Sequence, residues 1–276
     1  MPDKMNMVLA QLRPAPRNTS RNLETVRKIV AESGDVDLVV FPELFLSGYT
    51  ASKPEELALD LEGSEMDAIA RLARENSTAV ILGVPERAPA GIANSAVCVD
   101  RYGDIAGSYR KTHLFGSERH AYVAGNELLI VDLDGVRAGI MICFDVEFPE
   151  VARALVKTGA NLLVTISANM DPFGRDHDVF ATARALENSV PLLYVNQVGR
   201  GEAFNFAGGT MIVSADGDRL AEAGAAKKKV IRHQLDLSVR SVERPEDLRP
   251  DYLKEMRGPL PVVTAERARD DSRTSR

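Results

Sequence analysis

Three residues of this chain sit where a side chain can do chemistry. Cys143 follows the apolar run Gly139-Ile140-Met141-Ile142 and precedes Phe-Asp-Val-Glu-Phe-Pro-Glu (144–150). It marks the end of a strand and the start of a turn toward a helix. Such a position exposes a side chain at the sheet's edge and leaves nearby backbone N–H groups unpaired. A cysteine there is a nucleophile or, like many free cysteines, a small buried hydrophobe. Glu43 directly follows an apolar run and a proline, Val39-Val40-Phe41-Pro42-Glu43. α/β sheets place their sites at such strand ends; the alternative is an ion-paired loop carboxylate. Lys111 closes Ser108-Tyr109-Arg110-Lys111, beside Thr112-His113-Leu114-Phe115-Gly116, and alone would read as a surface lysine. A thiol of pKa about 8.5 is mostly protonated at neutral pH, so a cysteine nucleophile needs a base. No histidine is comparably placed, which leaves Glu43. Attack on a carbonyl creates an oxyanion that needs fixed donors or a cation. Lys111 and the Phe144 N–H are candidates. Cys98, inside Ser95-Ala96-Val97-Cys98-Val99, reads as core.

Positioning these residues takes strands and helices in alternation, and the hydrophobic pattern supplies them. Met5 to Leu12 reads as a strand, and Leu23, Val26 and Val30 share one face of a helix that Gly34 ends. Leu38 to Phe41 is wholly apolar, as in a strand buried on both faces. Ser64 to Asp67 has the S-x-x-D form of a helix start, with Met66, Ile69, Ala70 and Ala73 on one face. Thr78 to Val84 is a further strand. Asn94–Asp100 with Ile105–Lys111, and Leu128–Leu133 with Val136–Ile142, read as hairpins around Gly103 and Asp134-Gly135. Residues 112–126 read as a loop. A helix is expected from Pro149 to Thr158 with its proline early, and another from Val179 to Glu187. Leu162–Ile166, Leu192–Val195, Gly209–Ser214 and Val230–Leu235 complete the strands, with a turn at Asp216-Gly217. Interleaved elements together with hairpins mean an α/β fold with mixed sheets. No linker interrupts the pattern, so residues 1–263 read as one domain. The polar tail 264–276 is expected to be disordered or to pack on a partner.

Composition removes several function classes. The chain is 45% hydrophobic and 27% charged, an ordinary globular balance. Its net charge of −6 gives no global attraction to nucleic acid or to an anionic membrane. No apolar run approaches the roughly 18 residues of a membrane span, and Met1 to Gln11 lacks the cleavage site of a secretory signal. Two cysteines exclude a disulfide scaffold and make a reducing cytoplasm the expected compartment. Serine-hydrolase, P-loop, zinc-protease and Cys-x-x-Cys motifs are absent, and Gly199 and Gly201 form no dinucleotide fingerprint. The four histidines lack zinc-ligand spacing. The expectation is chemistry without metal or organic cofactor.

Taken in order, Phe41-Pro42-Glu43, Arg110-Lys111-Thr112-His113-Leu114-Phe115-Gly116 and Ile142-Cys143-Phe144-Asp145 resemble the motif blocks of the nitrilase superfamily of carbon–nitrogen hydrolases. The similarity extends from about residue 5 to about residue 240. The resemblance implies a triad at Glu43, Lys111 and Cys143, and a second glutamate at Glu118 that holds Lys111 and orients substrate or water. It implies an α-β-β-α four-layer sandwich, dimerised to αββα–αββα through helices near the cysteine, here Phe148–Thr158 and Val179–Glu187, with the C-terminal segment reaching across. Arg184–Asn188 and Asn196–Gly199 look like later family stretches, read as dimer contact and core support. Phe144 stands where tyrosine is commoner, at little cost because only its N–H is needed. Val123-Ala124 stand where a proline commonly precedes the glycine, which predicts a looser loop around Glu118.

The activity implied is hydrolysis of small aliphatic amides to acid and ammonia through a thioester. Ser167 to Phe173 most resembles bacterial amidases of short amides, including 5-aminopentanamide. An N-carbamoyl-amine hydrolase on the same triad is the alternative, followed by a nitrilase and a non-enzymatic scaffold subunit. Phe144, Asn169, Tyr49 and Phe173 are the candidate oxyanion and pocket residues, with Phe204 and Phe206 as further walls. An amine-bearing substrate would call for an acid such as Glu202 or Asp176. The partners implied are a small-molecule amide and a second copy of the chain, a homodimer or higher homo-oligomer, with neither nucleic acid nor membrane.

Overall fold

The computed structural model describes residues 3–237. The polar tail, the end of the 1–263 domain assignment and the segment expected to cross a dimer lie outside the described residues. Strand β1 (Lys4–Gln11) shows how the layers arise. Met5, Met7 and Leu9 enter one apolar cluster while Val8 and Ala10 enter another, the two-residue period of a strand buried on both faces. Helix α1 (Thr19–Ser33) follows, capped by the Asn18 side chain and ended by Gly34 at φ 62. It turns Val26 and Val30 onto the Val8 side, and each such burial contributes about 1.5–3 kcal/mol. Then come β2 (Leu38–Val40), α2 (Ser64–Asn76) and the meander β3 (Ala79–Ala88), β4 (Gly91–Val99) and β5 (Ile105–Arg110).

After a short helix, α3 (Glu118–Ala121), the second half runs β6 (Leu129–Leu133), β7 (Val136–Ile142), α4 (Pro149–Lys157), β8 (Leu162–Ser167), α5 (Gly174–Asn188) and β9 (Leu192–Asn196). A small ribbon, β10 (Val198–Arg200) and β11 (Asn205–Ala207), precedes β12 (Met211–Val213), β13 (Arg219–Glu222) and β14 (Lys229–Asp236). One six-stranded sheet has the order β14-β1-β2-β3-β4-β5 and the other β13-β12-β9-β8-β7-β6. Residues from both sheets share a central apolar cluster. α1 and α2 cover the outer face of the first sheet, α4 and α5 that of the second. This is the four-layer α-β-β-α sandwich. β1, β2 and β3 are parallel, as are β7, β8 and β9. The site's residues come from the ends of these parallel strands and from the loops beside them.

The structure departs from the sequence expectation at several local points. β3 does not stop at Val84 but continues to Ala88 and forms a hairpin with β4. Pro85-Glu86-Arg87 breaks the apolar run, yet Glu86 is buried, accepting from the Ser95 and Ser108 hydroxyls at 2.7 and 2.9 Å and from Arg110 Nε at 3.0 Å. α2 is capped by Gly63, and Ser64 is already helical. α5 begins at Gly174, five positions before Val179, because its first turns are polar although His177 is buried. Residues 112–126 include helix α3. Nor is the loop around Glu118 loose: Tyr122 N–H bonds Glu118 O, Val123 N–H bonds Ile92 O and Gly125 N–H bonds Lys111 O, at 2.8, 2.8 and 2.9 Å.

Candidate active site

Glu43 lies three residues beyond β2, on backbone that presses against β3. A Cβ on Gly83 would stand 2.1 Å from Leu44 N, so only glycine admits this approach. Leu44 takes φ 46, a left-handed conformation that costs an L-residue about 1–2 kcal/mol. The Glu43 carboxylate is wholly buried and saturated with donors. Oε1 accepts from Lys111 Nζ at 2.8 Å and from Asn94 Nδ2 at 2.7 Å; Oε2 accepts from the Ala168 N–H at 2.6 Å. Its backbone carbonyl accepts from Gln197 Nε2 at 2.7 Å.

Lys111, directly after β5, is 1% exposed and held from two sides. Besides Glu43 it meets Glu118 Oε1 at 3.0 Å and Oε2 at 2.9 Å. Glu118 is fixed in turn by the Tyr49 hydroxyl at 2.9 Å and the Phe115 N–H at 2.8 Å. Burial alone would depress the Lys111 pKa, but Glu118 and Glu43 outweigh it, and the ammonium is held well above its ordinary value. One cation against two carboxylates leaves surplus buried negative charge. Burial raises the Glu43 pKa and Glu118 adds to the rise, while Lys111 opposes both. The arrangement makes Glu43 a stronger base than an exposed carboxylate.

Cys143 is the first residue after β7 and opens a 3₁₀ turn, Cys143–Glu147, at φ 45. Asp145 fixes this turn. Its carboxylate accepts from the Ile142 N–H at 3.0 Å, the Tyr109 hydroxyl at 2.8 Å and the Thr112 hydroxyl at 3.0 Å, tying the cysteine turn to the Lys111 segment. From α5, Arg184 donates to the Val146 and Glu147 carbonyls at 2.9 and 3.0 Å, and Glu187 steadies it at 2.8 Å. Burial pushes the Cys143 thiol up and Glu43 pushes it further; Lys111 and a hydrogen bond from Ser167 work the other way. The sulfur therefore rests as the thiol, its proton waiting for a reaction to move it.

Cys143, Lys111 and Glu118 open onto one cavity of about 140 Å³. Phe115, Phe144, Met170 and Phe173 give it apolar walls, and Asn169 and Tyr49 border it.

The sequence profile of the carbon-nitrogen hydrolases matches residues 8–243. The chain belongs to the carbon–nitrogen hydrolase family. It is 39% identical over 258 residues to an (R)-stereoselective amidase of a Pseudomonas species, covering 92% of each chain. It is 34% identical over 213 residues to a 2-oxoglutaramate amidase of Bacillus subtilis, covering 76% of this chain and 82% of the relative. A solved amidase of Nesterenkonia sp. AN1 superposes with TM-score 0.78 and 26% identity over 92% of this chain and 94% of its own. In that structure the acetamide moiety of fluoroacetamide is covalently added at the active-site cysteine. This membership fits amide C–N hydrolysis through a cysteine.

Within this hydrolase fold Glu43, Lys111, Glu118 and Cys143 come together as the sequence resemblance implied. Phe144, Asn169, Tyr49 and Phe173 line the cavity. Tyr49 spends its hydroxyl proton on Glu118, so it contributes support and a wall. Phe206 is buried behind Tyr49 and the exposed Phe204 touches the same ring, neither reaching the cavity. Asp176 lines the cavity with Glu147; Glu202 is exposed elsewhere. Asn196 and Gln197 act as site support. Asn196 binds the Asn169 N–H at 2.8 Å and carbonyl at 3.1 Å, and so fixes the loop that carries the Ala168 N–H. Sequence reasoning missed Asn94, Asp145 and Ser167. Asp145 had a visible signal, an acid two residues after the cysteine where a turn needs a cap. Asn94 and Ser167 had none, since strand pairing alone brings them in.

Proposed function

We propose that this protein hydrolyses small aliphatic amides to the acid and ammonia, with Cys143 as nucleophile and Glu43 as general base and acid. The observation that carries this reading is the Lys111 ammonium, held between Glu43 and Glu118 in the cavity that Cys143 lines. Glu43 takes the thiol proton as the sulfur attacks the amide carbon. Lys111 and the Phe144 N–H receive the oxyanion, a contribution of about 3–4 kcal/mol per donor in comparable sites. Glu43 hands the proton to the departing nitrogen, the C–N bond breaks, ammonia leaves and a thioester remains. Water, deprotonated by Glu43, attacks the thioester. The acid departs and the thiol is restored. Glu118 holds Lys111 and orients substrate or water.

Charge narrows the acyl group. Lys111 is the only lysine or arginine among the described lining residues, and two carboxylates already occupy it. A substrate carboxylate, as in 2-oxoglutaramate, finds no free cation. Apolar walls with Glu147 and Asp176 beside them favour a neutral or amine-bearing chain. α4 and α5 are the proposed faces of a homodimer, with Val179 half-exposed, and two free cysteines accord with a cytoplasmic setting. No helix among the described residues is long and apolar enough to cross a membrane.

The test is ammonia release from propionamide, 5-aminopentanamide, glutaramate, N-carbamoylputrescine and propionitrile, each beside Cys143→Ala. The expected result is turnover of the first two, little of glutaramate, and none in the variant. Ammonia together with carbon dioxide from the carbamoyl compound alone would replace this reading with the carbamoylase. Equal rates with and without Cys143 would remove the nucleophile.

A further inference from the structure

The triad leaves a row of buried polar groups unused. The parallel register pairs Ile142 with Ile166, so Cys143 and Ser167 adjoin at the ends of β7 and β8. Ser167 Oγ accepts from the Asn169 N–H at 3.1 Å and from the Tyr194 hydroxyl at 3.0 Å. Both its lone pairs are used, and its single proton is left to point at the adjoining Cys143 sulfur, an interaction that works against the rise of the thiol pKa. The Tyr194 hydroxyl, on β9, lies 2.9 Å from His177 Nδ1 on α5. His177 Nε2 faces Glu147 Oε1 at 3.3 Å, within the turn that Cys143 opens. Ser167, Tyr194 and His177 are at most 2% exposed, so water does not compete for the bonds among these three; the Glu147 contact lies at the cavity wall.

Each hydroxyl carries one proton, and the chain therefore has a direction. With Tyr194 donating to Ser167, His177 must donate from Nδ1, and because Nε2 faces the Glu147 carboxylate it must donate there as well; with a proton on both ring nitrogens the row ends as a donor on sulfur. Were Nδ1 bare, Tyr194 would turn to it, Ser167 would turn to Tyr194, and the sulfur would lose its donor.

We propose that Ser167, Tyr194 and His177 form a directed hydrogen-bond chain that presents a donor to the Cys143 sulfur and stabilises the developing thiolate in its buried site. Ser167 touches the reacting atom; Tyr194 and His177 are positioning residues acting through it. The proposal rests on Cys143 as nucleophile but not on which amide is the substrate. Glu43 removes the proton, and the chain sets how readily the sulfur gives it up.

The test is the rate of Cys143 alkylation by iodoacetamide, located by peptide mass, with kcat and KM for propionamide measured in parallel and folding followed by circular dichroism. Ser167→Ala is expected to slow alkylation and kcat together by about 10- to 100-fold with KM unchanged, as when a charged acceptor loses one donor. Tyr194→Phe keeps the ring and should slow both by about 3- to 10-fold, because the Ser167 proton is then free to turn away. Ser167→Thr restores the hydroxyl and should recover most of the rate. Folded Ser167→Ala alkylating at the wild-type rate overturns the proposal. So does loss in Ser167→Ala with none in Tyr194→Phe, which would reduce the chain to one local contact. Alkylation is read without turnover, so a panel of amides that all fail would reject the substrate reading and leave this one standing.

Discussion

The chain carries two cysteines, both buried, and they make a controlled comparison of what sets the proposed nucleophile apart from a silent sulfur. Cys98 lies in β4 on the central apolar cluster, opposite Ile81 and Gly107 of its neighbours. Burial pushes its thiol up to about 12 and nothing opposes the push. Cys143 is buried too and its thiol is also raised, but Glu43, Lys111 and Ser167 act on it as well. It sits at φ 45, on a turn that a regular strand does not make. Low dielectric alone silences a thiol. In the same low dielectric, fixed charges act with little screening once they are present. The difference lies in the neighbours and in the backbone that presents the sulfur to them.

Removing the cation should break the comparison most severely. Lys111→Met leaves Glu43 and Glu118 facing each other without a counter-charge. We expect kcat to fall about 10²- to 10³-fold and stability to fall by about 3–5 kcal/mol, read from steady-state ammonia release and urea unfolding. Adding Glu118→Gln should recover part of the stability and none of the activity. Recovery of both would assign Lys111 a purely structural role.

Changing the pH sharpens the comparison with a smaller effect. Burial raises the Glu43 pKa above the ordinary 4.5. As pH falls Glu43 therefore protonates earlier than an exposed glutamate, and the proposed base is lost. The acidic limb of kcat/KM should lie above pH 4.5. Alkylation of Cys143 should follow the same limb, and in Glu43→Gln that limb should vanish. Cys98 should remain unlabelled in the folded protein throughout. A limb at or below 4.5 would place the working base elsewhere.

The extent to which this site was legible in the sequence follows from which interactions are local. Cys143, Glu43 and Lys111 stand at strand ends, and that much the hydrophobic pattern carries. Their meeting does not follow from the pattern, because Glu43 and Lys111 are 68 positions apart; family resemblance supplied it. Strands with uninterrupted apolar runs, such as β8 and β9, follow from that pattern. The far half of β3 was hidden because Glu86 is a carboxylate inside a sheet, legible only once Arg110 and two serines are seen around it. Asn94 and Ala168 reach Glu43 through pairings fixed by register, and no local signal encodes register. His177 and Tyr194 were invisible as partners for the same reason: one is on a helix and the other on a strand, joined only by packing.

The smallest expected effect concerns the silent sulfur. Cys98→Ser changes one atom, yet it places a hydroxyl among apolar side chains at 0% exposure. An unsatisfied buried hydroxyl costs about 1–3 kcal/mol, so the urea midpoint should drop by that equivalent while kcat and KM stay within experimental scatter. Cys98→Ala removes the polar group and leaves a small gap instead, so it should cost less than the serine. If serine proved no worse than alanine, the pocket around Cys98 would have to be polar, and the contrast between the two sulfurs would no longer rest on their neighbours. If either variant lowered kcat without moving KM, Cys98 would be coupled to the site through β4, the strand that also carries Asn94 to Glu43.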